Sequence, residues 1–178
     1  MLIAIIIIII ALTSSRDKNN KNNEDNQFKE ILAEINCLYD IESTSKDSNI
    51  LSNDFEKKFN LDIYVNDEKI HFSKNYKFSK VGPNNVKFVI YEKMIMDKMF
   101  KDISDLISVD MKSEKNCPII SMISTFENCH KLENFKIDGF DTSRLTSMKA
   151  LFYKTSLSEI DISNIDTKSV TDMSYMFA

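Results

Sequence analysis

Apolar residues follow three rhythms along the chain. From Met1 to Leu12 they run almost unbroken, through the Ile5 to Ile10 stretch, and Thr13-Ser14-Ser15 closes the run with small residues. That is the outline of a signal peptide, residues 1–15, although no Lys or Arg precedes it. It falls short of the roughly 20 apolar residues that a membrane span needs. Residues 16–26 (RDKNNKNNEDN) are polar and of low complexity, and predict a disordered linker. Phe28, Ile31, Leu32 and Ile35 then recur at helical spacing with Asn26 placed to cap, which predicts a helix over 27–36. Cys37, Tyr39 and Ile41 suit a strand as well as a continued helix, and 42–53 reads as a polar loop.

From Phe59 the period is two. Leu61, Ile63 and Val65 alternate with polar positions, Asn66-Asp67 makes a turn, and Ile70 and Phe72 form a return strand. Tyr76 and Phe78 alternate again, Val81-Gly82-Pro83-Asn84-Asn85 reads as a second turn, and Val86, Phe88 and Ile90 make a last strand. The segment 27–93 is therefore expected to be a helix plus a small antiparallel β module that caps the C-terminal half.

That C-terminal half is built on an internal repeat. Phe126, Leu132, Phe135, Ile137, Phe140-Asp141-Thr142, Leu145, Met148 and Leu151-Phe152 match Phe152, Leu157, Ile160, Ile162, Ile165-Asp166-Thr167, Val170, Met173 and Met176-Phe177 at an offset of 25, with one deletion. A more degenerate copy lies 26 residues upstream, through Met96, Phe100, Leu106, Val109, Met111, Ile119 and Met122. A period in the twenties marks a leucine-rich-repeat array. In each unit, Leu-x2-Φ-x-Φ (Φ apolar) predicts a short inward-facing strand. Asp141-Thr142-Ser143 offers capping oxygens, and Leu145, Met148, Leu151 and Phe152 form a helical stripe. The expected fold class is α/β: a leucine-rich-repeat-like solenoid of about three coils (96–122, 122–148, 148–176) over 94–178, preceded by the β module and the N-terminal helix.

The stretch from Leu157 to Phe177 resembles the repeat of BspA-type leucine-rich-repeat surface proteins, whose units read Leu-Asp-Leu-Ser-Asn-Phe-Asp-Thr-Ser-x-Val-Thr-x-Met-x-x-Met-Phe. The likeness is close there, recognisable from Phe126, weak over 94–125 and carried only by a plausible leader and cap before that. It implies a surface or secreted chain, in some members tied to adhesion to host or matrix proteins, and it implies fold more firmly than function. Met176-Phe177-Ala178 stands in the middle of a motif without a polar cap, so a truncated chain is expected, with an end-to-end self-associated dimer as the alternative.

Composition narrows the chemistry. The net charge of −4 speaks against nucleic acid as a partner. Two glycines, Gly82 and Gly139, cannot build a phosphate-cradling loop. Cys37, Cys117 and Cys129 are odd in number and read best as buried thiols, one disulfide plus a free thiol being the alternative. Cys129-His130 lacks the ligand spacing of zinc, and His71 lacks an acid or nucleophile partner. No calcium-loop pattern and no Asn-x-Ser/Thr sequon occurs. The expectation is a non-enzyme without catalytic residues, cofactor or metal.

Polar residues flanking the inward strand positions give the candidate binding face: Ser108, Asp110 and Lys112, then Asn134, Lys136 and Asp138, then Glu159, Asp161 and Ser163. Such a row is a natural protein-binding surface, and equally an ordinary solvated strand face. The leading reading is a non-catalytic, secreted or cell-surface, adhesion-type module for an unidentified protein partner. An intracellular scaffold and a membrane-tethered chain are the alternatives.

Overall fold

The computed structural model describes residues 29–178; the expected signal segment 1–15, the linker 16–26 and the start of the helix at 27 lie outside them. Ten strands occur among the described residues: β1 Ala33–Ile41, β2 Ser48–Asn49, β3 Leu61–Val65, β4 Glu68–Ile70, β5 Asn75–Tyr76, β6 Gly82–Ile90, β7 Met94–Ile95, β8 Leu106–Lys112, β9 Ile119–Ser121 and β10 Asn134–Asp138. Six form one open mixed sheet in the order β10-β8-β1-β6-β3-β4. β1 lies antiparallel between β6 and β8, and β10 adds parallel to β8. β2 pairs β5 and β7 pairs β9 in two-stranded sheets.

The α/β expectation is overturned, because no helix occurs among the described residues. The expected helix over 27–36 gives way to β1 from Ala33 onward. Ala33, Ile35, Cys37, Tyr39 and Ile41 are buried on one side, whereas Ile31, counted on the helical stripe, is 49% exposed. Period two over nine residues, with a partner on each edge, outweighs a short helical spacing. The return strand expected through Phe72 stops at Ile70, and Phe72 is exposed. Of the turn expected at 81–85, all but Val81 belongs to β6: Ile41 pairs Gly82 and Asp40 pairs Pro83. The loop expected over 42–53 carries β2 and the fully buried Ile50 and Leu51.

Nor do the helices expected in the C-terminal half form among the described residues. Met148, Leu151 and Phe152 are buried as their spacing predicts, but around them the chain makes turns. Lys98, Ser124, Ala150 and Tyr175 have positive φ (59°, 52°, 51° and 57°), as do Asp102, Asn128 and Lys154. Left-handed residues every few positions break a helical hydrogen-bond run. The amides point sideways instead: Phe100 N–H donates to Thr125 O (2.9 Å), Phe126 N–H to Leu151 O (3.0 Å) and Phe152 N–H to Met176 O (3.0 Å). Between these turns the rings of Phe100, Phe126, Phe152 and Phe177 stack, with successive centroids 5.5, 5.6 and 5.9 Å apart and planes within 8° of parallel.

The solenoid expectation fails at the N-terminal side as well, since the β module is no separate cap: β1 and β8 are neighbours in one sheet. The third expected strand, at Leu157, Ile160 and Ile162, is not formed; those residues only pack, partly buried, against the core. That core lies under one face of the six-stranded sheet, where Phe88 meets Phe100 edge-on at 5.5 Å. Tyr39, fully buried, donates its hydroxyl to Ile50 O at 2.7 Å, so its polar end is satisfied. No helix among the described residues is long and apolar enough to cross a membrane.

Candidate functional site: the outer face of the mixed sheet

Alternation along a strand sends every second residue to the face opposite the core. On β8 these are Ser108, Asp110 and Lys112; on β10, Asn134, Lys136 and Asp138. Parallel pairing sets them side by side, Asn134 against Ser108, Lys136 against Asp110 and Asp138 against Lys112. Six of the nine expected face residues therefore share one surface. The other three do not. Glu159, Asp161 and Ser163 lie on the unpaired 157–163 segment. Asp161 is engaged locally, accepting the N–H of Ser163 at 2.9 Å. The hydroxyl and amide of Ser163 hold its carboxyl below the usual carboxylate range. Asn164 reaches back, its Nδ2 donating to Ile137 O at 3.2 Å, and the ladder ends there.

The same face continues across strands whose outer residues sequence reading missed. Glu34, Asn36 and Leu38 of β1 stand opposite Lys112, Asp110 and Ser108. Next come Asn85 and Lys87 of β6, then Tyr64 of β3, paired with Lys87. Applying the alternation to β1 and β6 as rigorously as to the repeats would have found them. Their juxtaposition with β8, however, depends on pairing between segments about 70 residues apart, which local pattern does not report.

A groove of about 450 Å³ runs over β3, β6, β1 and β8, lined by Leu38, Asn36, Tyr64, Asn85 and Asp110 among others. Charges on the face are mixed and locally matched. Lys87 lies 3.7 Å from Glu34 and 5.2 Å from the Tyr64 ring centre, and Lys112 lies 3.5 Å from Asp110. Exposed pairs of this kind contribute a few tenths of a kcal/mol each. At the β3 end, Asp62 accepts from both Lys69 Nζ (2.6 Å) and the Tyr91 hydroxyl (2.8 Å). Burial and that carboxylate push Tyr91 up to about 12.

The cysteines are arranged for packing. All three are buried free thiols among the described residues. Burial pushes Cys117 up to about 11 and Cys129 up to about 12, and raises Cys37 well above its ordinary range. A thiol in that state is a poor nucleophile. Cys129 donates to Phe100 O at 2.9 Å, and its neighbour His130 is exposed, as is His71. No group of three or more His, Cys, Asp or Glu among the described residues is disposed to hold a metal ion.

Comparison with known proteins adds one match. The model of a family described as a Mycoplasma protein of unknown function, DUF285, matches residues 94–178, the segment from β7 onward. No curated protein and no solved structure matches the chain.

Proposed function

We propose that the chain is a non-catalytic protein-binding module of the secreted or cell-surface, adhesion type, and that it binds through the outer face of its six-stranded sheet. The observation that carries the reading is the in-register polar surface of β8 and β10, continuous with β1, β6 and β3. These strands fix side chains on a rigid frame, so a partner meets them without the cost of ordering loops. Mixed, alternating charge suits orientation and selectivity more than bulk attraction. The resemblance of residues 157–177 to BspA-type repeats supports the adhesion setting.

The test is a panel of extracellular-matrix proteins immobilised on a sensor and probed with the full chain. The comparison is a variant carrying Lys136→Ala and Asp138→Ala, two exposed positions on β10, whose fold is checked by far-ultraviolet circular dichroism before binding is compared. Saturable binding by the wild type that falls at least about tenfold in the variant is expected. No binding to any member, or equal binding by the variant, refutes the reading.

A further inference from the structure

We propose that the groove over β3, β6, β1 and β8 is a saccharide site that takes a short, neutral oligosaccharide. The proposal deepens the binding reading and rests on it only in using the same face.

The groove's polar groups are unspent. Among the described residues, no hydrogen bond uses the side-chain amides of Asn36 or Asn85, or the hydroxyls of Ser108 or Tyr64, although all four line the groove. Amides and hydroxyls offer donors and acceptors together, so they match a ligand that does the same from many closely spaced positions. A polyol is that ligand. Vicinal sugar hydroxyls can bridge an amide and a neighbouring carboxylate such as Asp110, and the C–H face of a sugar ring can rest on Leu38. Lys87 lies over the Tyr64 ring, and both residues line the groove.

Other ligand classes fit less well. Glu34, Asp67 and Asp110 outnumber Lys87 in the lining, and Lys112 beside Asp110 narrows that excess without removing it, so phosphate- or sulfate-bearing ligands are disfavoured. A peptide laid here finds no backbone to pair with, because β1 and β6 are hydrogen-bonded on both edges. Leu38 is the one aliphatic side chain exposed enough to anchor it, since Val86 and Cys37 are buried. A volume of about 450 Å³ falls within the usual range for small-ligand sites.

The experiment probes the full chain against an array of neutral oligosaccharides ending in galactose, mannose or N-acetylglucosamine. The strongest binder is then titrated as the free sugar. Asn36→Ala and Asn85→Ala replace exposed side chains, and each is expected to keep the wild-type unfolding midpoint. Each is expected to weaken binding roughly two- to tenfold, and both together by more. Silence of the wild type across the array, or unchanged binding in both variants, overturns the proposal. The matrix-protein panel is repeated after enzymatic deglycosylation. A fall in affinity that leaves residual binding is the expected result. Unchanged binding overturns the saccharide and leaves protein recognition standing, whereas array binding without any matrix-protein binding overturns protein recognition alone.

Discussion

Gly139 follows β10 at φ +72°, and a Cβ built there would stand 1.9 Å from the carbonyl oxygen of Ser113. Two penalties coincide, a left-handed backbone and a clash with main chain that cannot swing aside. Ser113 is tied down as well: its amide donates to Asp138 O (3.0 Å) and its hydroxyl to Leu32 O (2.8 Å). Gly139→Ala is therefore expected to cost at least about 2 kcal/mol, read as a lowered urea midpoint at unchanged slope. A variant as stable as the wild type would show that this crossing is looser than its geometry indicates. Asp62 sets a pH dependence. Its burial raises its pKa, but hydrogen bonds from Lys69 and Tyr91 outweigh that and leave it below the ordinary value. A carboxyl depressed on folding stabilises the native state above its unfolded pKa, near about 3.9, and loses that contribution as pH falls through the folded value. Asp62→Asn should then lower stability at neutral pH and flatten its decline into acid. Parallel stability curves for the two proteins between about pH 2 and about pH 7 would rule the coupling out.

Among elements, the phenylalanine ladder joins the turns of the C-terminal half to the sheet. Phe126 is fully buried, stacked on Phe100 and Phe152 and edge-on to Phe135 at 5.4 Å. Phe126→Ala removes contacts in three directions and is expected to cost roughly 3–5 kcal/mol. Phe177→Ala, at a ring 59% exposed, should cost less than about 1 kcal/mol. Similar losses at both positions in chemical denaturation would mean that the ladder is not packed as a continuous stack. The ladder also shows what periodicity reports. The spacing of Met148, Leu151 and Phe152 identifies residues that face the core, but not where their amides go. The sideways amides of Phe100, Phe126 and Phe152 run to carbonyls about 25 residues further along the chain, so helical spacing produced turns. Strand β3 was legible because Leu61, Ile63 and Val65 alternate cleanly. β1 was legible only in part: Cys37, Tyr39 and Ile41 already suited a strand, but its first half was hidden beside the apparent stripe of Ile31, Leu32 and Ile35. The Gly82-Pro83-Asn84-Asn85 stretch has turn composition, yet Asn84, buried, satisfies its Nδ2 with the carbonyls of Lys80 (3.2 Å) and Gly82 (2.9 Å) and lets the strand run on. At the site, the two rows on β8 and β10 followed from the Φ-x-Φ pattern. The third row failed because Asp161 folds back on Ser163, and the groove's other half was invisible because it is assembled by distant pairing.

At the scale of the molecule, the sheet crosses position 93, where local pattern places a boundary between a β module and a repeat array. β8 sits between β10, from its own half, and β1, from the other: Met111 is in register with Ile35 and Val109 with Cys37. Phe88 closes the ladder over Phe100 from the N-terminal side. Residues 94–178, the segment matched by the family model, would on their own present the unpaired edge of β8 and the uncovered face of Phe100, a combination that favours association over folding. The full chain is expected to unfold in one transition that coincides by far-ultraviolet circular dichroism and by tyrosine fluorescence. The isolated 94–178 piece should show no cooperative transition, whereas co-expression with residues 1–93 should restore it. Because Asn36, Asn85 and Tyr64 come from one half and Ser108 and Asp110 from the other, ligand binding at the groove should return only with the reconstituted pair. A 94–178 piece that folds cooperatively alone would make β1 a dispensable neighbour. The outer face would then have to function with β8 and β10 only.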